Sequence, residues 1–267
     1  MLENISIGQY YPAESILHRL DPRVKISILL VYVIVVFLAR GFLGYLLLTG
    51  FIVAALQLSQ VPYSFILRGL RPVFFIIVFT MIIHVFMTPG QLIFGVGPIT
   101  ATVEGVSRGI FMAWRLALLV ISASLLTLTT SPIDLTDGME YMLKPYQRFG
   151  VPAHELAMMV TIALRFVPTL LQEVTRIMRA QMARGADFES GSLLQRGRSM
   201  VPLLVPLFVS AFKRADDLAL AMEARAYRGG QGRTRLKVLA TGTHDWVAVA
   251  IALSFAAVVT YTRFAMF

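Results

Sequence analysis

The stretch from Val151 to Gly230 decides the fold, because it predicts two long helices that end alike. The first helix is predicted over residues 152–184 and closes with Ala183-Arg184-Gly185. The second is predicted over residues 199–227 and closes with Ala224-Arg225-Ala226. Each helix has an apolar N-terminal half and a charged C-terminal half, and a membrane-spanning helix carries that much charge only at high cost. Both helices are therefore predicted to start against the membrane and to project their ends into the cytosol.

The composition around these helices is that of a membrane protein. Of 267 residues 57% are hydrophobic and only 15% are charged, whereas soluble domains carry about 25% charged residues. The chain contains no cysteine, which excludes disulfides, thiolate metal sites and cysteine nucleophiles. The first 20 residues lack the apolar segment of a cleavable signal peptide.

Apolar runs predict five membrane spans, four before the long helices and one after them. They lie at about residues 26–39, 42–58, 72–87, 105–128 and 246–261. Asp21 is predicted to cap the first span and Pro22 to occupy its first turn. Of the 24 Lys and Arg residues, most fall in segments that this arrangement puts on one side, which the positive-inside rule assigns to the cytoplasm. The N-terminus is thus expected in the cytoplasm and the C-terminus outside the cell.

The predicted fold class is an all-α polytopic membrane protein with about five transmembrane helices and a cytoplasmic helical domain. Residues 1–130 hold the first four spans, residues 131–242 form the cytoplasmic domain, and residues 243–267 hold the last span. The cytoplasmic domain opens with a short helix, for which Ser131 is the predicted N-cap and Asp134 the acidic residue three positions on.

The Arg-Gly helix ending has two explanations. Glycine adopts the left-handed conformation just beyond a helix, and arginine is favourable at the negative end of the helix dipole. Alternatively, a projecting guanidinium offers five donors in a fixed fork that suits a partner's carboxylate or helix-end carbonyls. Two successive helices with the same ending weaken the first explanation and leave both open. Ala226 stands where the second ending would have glycine, so Gly229 is expected to stop that helix instead.

Catalytic patterns are not evident in the sequence. The four histidines His18, His84, His154 and His244 have no metal-ligand spacing, and HExxH, GxSxG and phosphate-loop motifs are absent. We therefore expect no catalytic residue, metal or cofactor in this chain, and an intramembrane enzyme is disfavoured. Arg115 is a cation inside the fourth span, where either snorkelling to the outer surface or a functional role is possible.

Six motifs spread over nearly the whole chain resemble those of one family of membrane proteins. They are Gly8-Gln9-Tyr10, Leu20-Asp21-Pro22-Arg23-Val24-Lys25, Ser131-Pro132-Ile133-Asp134-Leu135-Thr136-Asp137-Gly138, Ala163-Leu164-Arg165-Phe166-Val167-Pro168, Ala183-Arg184-Gly185-Ala186-Asp187 and Ala224-Arg225-Ala226-Tyr227-Arg228-Gly229. With them the chain resembles the transmembrane T component of energy-coupling factor (ECF) transporters.

The resemblance implies a non-catalytic energy-coupling subunit of an ECF-type ABC importer for vitamins or other micronutrients, in a prokaryotic plasma membrane. The two long helices would be crossed coupling helices, each docking into one of two ABC ATPase subunits that bind ATP and Mg²⁺. The docking residues would be Ala183, Arg184, Gly185, Ala224, Arg225 and Ala226. A membrane-embedded substrate-binding S component, exchangeable for others, would contact Met158, Met159, Leu203, Leu204 and Phe208.

A function of another class is a membrane-anchored basic module that binds anionic lipid or nucleic acid. Its support is the positive charge at residues 195–198 and 227–237. The affinity of such binding would fall steeply as the salt concentration rises, whereas the affinity of docking by specific helix ends would fall less. The resemblance implies a lipid membrane and protein partners, and no nucleic acid.

Overall fold

The computed structural model describes residues 10–96, 99–188, 192–229 and 239–265. Three sequence features lie outside the described residues: Gly8-Gln9 of the first motif, residues 230–237 of the basic segment at 227–237, and the side chains of most of residues 195–198.

Helices make up almost all of the described chain. In order they are α1 (Ile16–Arg19), α2 (Pro22–Leu38), α3 (Gly41–Ser59), α4 (Tyr63–Met87), α5 (Val103–Thr129), α6 (Pro132–Leu143), α7 (Ala153–Ala183), α8 (Leu193–Ala224) and α9 (Thr243–Ala265). A 3-10 helix, Lys144–Phe149, connects α6 to α7. An antiparallel hairpin of β1 (Leu92–Val96) and β2 (Ile99–Thr102) connects α4 to α5. The predicted all-helical class is confirmed.

Five helices of the described chain are long and apolar enough to cross a membrane, which agrees with the predicted number. They are α3, α4, α5, α7 and the Thr243–Arg263 part of α9. The set differs from the prediction in two members. With 17 residues, α2 is about 26 Å long, at the lower end of the range for a membrane span, so the first predicted span stays a prediction. By contrast α7 qualifies because Arg176 and Arg179 lie near its C-terminal end and leave a long apolar part before them.

Two helices begin earlier than predicted. Residues 59–71, which lie between the second and third predicted spans and were expected to form a loop, are largely helical, because α4 begins at Tyr63 and carries Pro72 inside it. Proline favours a helix start, and the helix starts after Pro62 rather than at Pro72, where the third span was predicted to begin. Similarly, α8 begins at Leu193 rather than at residue 199.

The chain divides into two compact units. One contains residues 8–138 and 237–267, and the other contains residues 139–236. In the first unit the core lies between α2, α3, α5 and α9, whose most deeply buried side chains are Val36, Leu48, Leu128 and Val259. The predicted domain bounds at residues 130 and 242 stay a prediction, because compactness does not tell on which side of a membrane a unit lies.

A polar junction explains the Asp21–Lys25 motif in this first unit. The Asp21 carboxylate caps α2 by accepting from the amide of Arg23 at 2.9 Å, as predicted. The amide of Asp21 donates to Asp245 Oδ1 at 2.8 Å. The Lys25 ammonium donates to the carbonyl of Thr129 at 2.9 Å, at the end of α5. The motif therefore holds the first turns of α2 and α9 and the last turn of α5 together.

A side-chain N-cap and a close helix contact explain the Ser131–Gly138 motif. Ser131 Oγ accepts from the Asp134 amide at 3.1 Å and donates to Asp134 Oδ2 at 2.8 Å, so the predicted cap is confirmed. At Gly138 an added Cβ would lie 3.1 Å from Ile26 and 3.2 Å from Pro22. A larger residue at this position would require Ile26 and Pro22 to shift by a few tenths of an ångström, so glycine favours the close approach of α6 to α2.

Candidate coupling site

The residues after α7 form a compact turn that closes the helix. The amide of Gly185 donates to the carbonyl of Met182 at 2.9 Å. The amide of Ala186 donates to the carbonyl of Gln181 at 3.0 Å. Gly185 itself has a φ of +88°. These two bonds and the left-handed residue form a Schellman motif, which satisfies carbonyls that a helix end leaves unpaired.

The residues after α8 form the same turn without a glycine. The amide of Ala226 donates to the carbonyl of Glu223 at 2.8 Å. The amide of Tyr227 donates to the carbonyl of Met222 at 3.0 Å. Ala226 takes the left-handed position with a φ of +53°. For an L-residue this conformation costs about 1–2 kcal/mol, so the turn is kept at the expense of backbone strain.

The expectation that Gly229 stops α8 is wrong. α8 ends at Ala224, and the helix-closing turn is centred on Ala226. Gly229 has a positive φ of +81°, but it lies beyond that turn. The sequence suggested glycine because alanine rarely adopts this conformation. The backbone hydrogen bonds donated by Ala226 and Tyr227 outweigh the preference of alanine for negative φ.

Each turn presents one exposed arginine at the end of its helix. Arg184 follows α7 and Arg225 follows α8, and both side chains are exposed. Neither forms an ion pair with any residue that the structure describes. A guanidinium in this setting can donate to a carboxylate bidentately or to several carbonyls at once. The two motifs are thus alike in backbone geometry and in the chemical group that they expose.

The two turns lie at opposite ends of a helix pair, because α7 and α8 run antiparallel. Arg214 of α8 forms an ion pair with Glu173 of α7 at 3.7 Å. Further along, Tyr227 Oη donates to Met158 Sδ, near the start of α7, at 3.0 Å. The turn after α8 therefore lies beside the start of α7, about 40 Å along α7 from Ala183. One small partner surface cannot contact both arginines.

A polar chain that the sequence did not indicate supports the second turn. Tyr227 Oη is 3.4 Å from His154 Nε2. His154 Nδ1 is in turn 3.1 Å from a carboxylate oxygen of Glu140. The residue next to Ala226 is thus anchored to the first turn of α7 and to α6. The only signal in the sequence is an aromatic residue directly after the Arg225 motif, which alone does not identify its partners.

The predicted S-component contacts do not form one surface. Met158 is half-buried beside Tyr227, and Met159 next to it is exposed. Leu204 and Phe208 are exposed on α8, and Leu203 is half-buried there. About 24 Å of helix separates Phe208 from the end of α8 beside which Met158 lies. The antiparallel arrangement thus puts the apolar halves of α7 and α8 at different ends of the pair.

Other polar groups in the first unit have structural partners. Arg115 Nε donates to Tyr45 Oη at 2.9 Å, and its guanidinium lies 5.5 Å from the centre of the Phe37 ring. His84 Nδ1 donates to the carbonyl of Thr80 at 2.8 Å. Across the described residues no three His, Asp or Glu side chains are grouped as metal ligands would be.

Known proteins resemble the chain over nearly its full length. A family model named CbiQ, described as a cobalt transport protein, matches residues 13–236. The energy-coupling factor transporter transmembrane protein EcfT of Thermosediminibacter oceani is 55% identical over 247 residues, which cover 92% of this chain and 93% of that protein. The EcfT proteins of Acidaminococcus fermentans and Bacillus subtilis are 52% and 46% identical, each over 98% of this chain and over 98% and 100% of their own lengths. The chain is a multi-pass subunit of a larger transporter complex, and it belongs to the family of energy-coupling transmembrane components of ECF transporters.

Proposed function

We propose that this chain is the mechanical link of its transporter. It joins two ABC ATPase subunits to a membrane-embedded, substrate-binding S component and transmits the motion that accompanies ATP hydrolysis to that component. The transported substrates are vitamins or other micronutrients, and the S component selects them. One observation carries the proposal: two helix-closing turns with the same hydrogen-bond pattern, each with an exposed arginine, lie at the two ends of one antiparallel helix pair.

The spacing of the turns favours two equivalent partners. Arg184 and Arg225 are separated by most of the length of α7, about 40 Å. Two ATPase subunits with the same groove would each receive one turn, Ala183–Gly185 in one and Ala224–Ala226 in the other. The guanidinium would bind a carboxylate or helix-end carbonyls of the groove. ATP and Mg²⁺ would be held by these partners, and this chain would contribute no catalytic residue.

The helix pair is suited to carrying motion between the ends. Near the middle of the pair the Glu173–Arg214 ion pair joins α7 to α8. When the ATPase subunits approach or separate, each turn moves with its partner, and the long helices carry that displacement along the pair. Because the helices are packed and not continuously deformable, the displacement changes their mutual orientation.

The exposed apolar side chains of the pair are the proposed contacts of the S component. Leu204 and Phe208 form one such surface on α8, and Met159 belongs to another at the start of α7. Methionine adapts its shape to different partners, which favours the exchange of S components on the same subunit. With the N-terminus in the cytoplasm and the C-terminus outside, the docking turns would face the cytoplasmic ATPases.

The alternative, a basic module for anionic lipid or nucleic acid, has less support. It rests on the positive charge at residues 195–198 and 227–237, whereas docking is supported by two equivalent turns that each expose an arginine. Purification of the full chain from its own membranes in mild detergent distinguishes the two functions. We expect two ATPase subunits and an S component to co-purify at moderate salt. A chain that purifies without ATPases, or with nucleic acid that high salt removes, would contradict the proposal.

A further inference from the structure

The 3-10 helix between α6 and α7 is exposed along its whole length. Every residue from 143 to 150 is exposed, although several are large and apolar. The exposed fraction is 36% for Leu143, 55% for Tyr146 and 84% for Phe149. Aromatic side chains contribute most to stability when they are buried, so such an exposed series indicates a surface that something covers.

The three apolar side chains lie on one edge of this helix. A 3-10 helix has three residues per turn, so side chains three positions apart are eclipsed. Leu143, Tyr146 and Phe149 follow this spacing, and Leu143 itself has helical backbone angles. We name these three residues the aromatic edge. Gly150, with a φ of +85°, turns the chain away after its last member.

Two cations flank the aromatic edge. At 120° per residue, Lys144 lies on one side of the edge and Arg148 on the other. Neither forms an ion pair with a described residue, and the sequence has no acidic residue between Glu140 and Glu155. All charge within this segment is therefore positive, on both sides of an apolar ridge.

We infer that the aromatic edge inserts into the interface of a membrane leaflet that contains anionic lipid. Tyr146 and Phe149 bury their rings at the level of the headgroups, where amphipathic and aromatic side chains are favourable. Lys144 and Arg148 bind lipid phosphates beside them and keep their charge in the polar layer. The inference rests on membership of a membrane-protein family and on the described exposure of this segment.

A short segment suffices for this contact because the chain is already in the membrane. A soluble protein would have to lose its translational freedom to bind a bilayer with so few side chains. In a multi-pass protein the effective concentration of lipid at the segment is high. The aromatic edge is exposed and its flanking charges have one sign, which matches an anionic lipid surface better than a protein groove of mixed charge.

A fluorescent label next to the edge tests the contact directly. Because the chain has no cysteine, Gln147→Cys gives a single labelling site and leaves the edge intact. The full chain, labelled there with an environment-sensitive dye, is placed in nanodiscs of phosphatidylcholine alone or mixed equally with phosphatidylglycerol. We expect quenching by nitroxide lipids and protection from aqueous iodide, both greater with phosphatidylglycerol. Leu220→Cys, at an exposed position of α8, is the control and is expected to stay accessible to iodide.

Two further variants separate the contributions of the rings and of the charges. In the labelled chain Tyr146→Ser with Phe149→Ser should abolish the lipid quenching. Lys144→Gln with Arg148→Gln should reduce the inserted population in the anionic nanodiscs about fivefold for each cation removed, with little change in phosphatidylcholine. A label that quenches no more than the Leu220 control would overturn the inference. So would iodide protection without lipid quenching, which indicates a protein contact, or a response to phosphatidylglycerol that survives loss of both cations.

Discussion

Gly185 and Ala226 occupy the same position in two equivalent helix-closing turns, at φ angles of +88° and +53°. The hydrogen bonds around them are also the same in pattern. Glycine adopts this conformation without strain, whereas an alanine is penalised by its Cβ. The turn forms at Ala226 despite this penalty. It exposes Arg225 in the same way as the turn at Gly185 exposes Arg184, which is the role proposed above.

The Ala226→Gly variant should be more stable than the natural chain. Relief of the left-handed strain exceeds the entropic cost of glycine, and we expect a net gain of about 0.5–1 kcal/mol in the free energy of unfolding. Denaturant titration of the full chain in mixed micelles measures it. Ala221→Gly, the same change at an exposed helical position of α8, is the matched control and should lose about 1 kcal/mol. Equal destabilisation by both variants would argue against strain at Ala226.

The Tyr227 hydroxyl should contribute to stability through its contact with Met158. Tyr227→Phe removes the hydroxyl and keeps the ring, and we expect a loss of about 0.5–1.5 kcal/mol. Met158→Leu conserves the volume and removes the sulfur acceptor. If the 3.0 Å contact matters, the double variant should lose about 0.5 kcal/mol less than the sum of the single variants. Strict additivity would indicate that Tyr227 acts through its other neighbours.

Lys25 should be required for the polar junction of the first unit. Its ammonium donates to the carbonyls of His18 and Thr129, the latter at the end of α5. Lys25→Met leaves these half-buried carbonyls without that donor and should cost about 2 kcal/mol. Lys213→Met, at an exposed position of α8, should change stability by no more than about 0.5 kcal/mol. Similar effects of the two variants would exclude a special role for the junction.

Acidification should weaken the N-terminal attachment through His18. Burial lowers the pKa of His18 below its ordinary value of 6.5; a hydrogen bond to the Tyr11 carbonyl opposes this shift and the Lys25 charge adds to it. The folded chain therefore binds a proton less readily than the unfolded chain. The stabilising contribution of neutral His18 is fully present above the pKa that His18 has in the unfolded chain, and it is lost as pH falls through the lower pKa of the folded chain. Unfolding temperatures measured from neutral to mildly acidic pH should fall less for His18→Gln than for the natural chain, and parallel curves would contradict this.

Local signals in the sequence predicted much of the fold because their partners are close in the chain. The Asp21 cap and the Ser131 cap depend on residues a few positions apart, and both are confirmed. Hydrophobic runs likewise identified α3, α5 and α9. Where two proline positions competed, as at Pro62 and Pro72, the sequence could not decide the helix start. Length alone separates α2 from the other candidate spans.

The candidate site was predicted only in part for a different physical reason. The helix ends at Arg184 and Arg225 are marked in the sequence. The left-handed conformation of Ala226 could not be predicted, because alanine prefers negative φ and this conformation is held by the hydrogen bonds from Ala226 to Glu223 and from Tyr227 to Met222. The Tyr227–His154 contact joins residues far apart in sequence. Such long-range pairings, like the antiparallel order of α7 and α8, depend on tertiary packing that periodicity does not encode.

The docking of Arg184 and Arg225 is tested most directly by reversing both charges. Arg184→Glu with Arg225→Glu changes the two exposed helix ends and removes their guanidinium donors. Arg176→Glu with Lys213→Glu makes the same change of charge at exposed positions on the same two helices, away from the turns. Both full-length double variants are purified in mild detergent, and co-purifying ATPase subunits are quantified. We predict that the ATPases are lost with the first pair and retained with the second. An intact complex with Glu at both 184 and 225 would contradict the proposed docking.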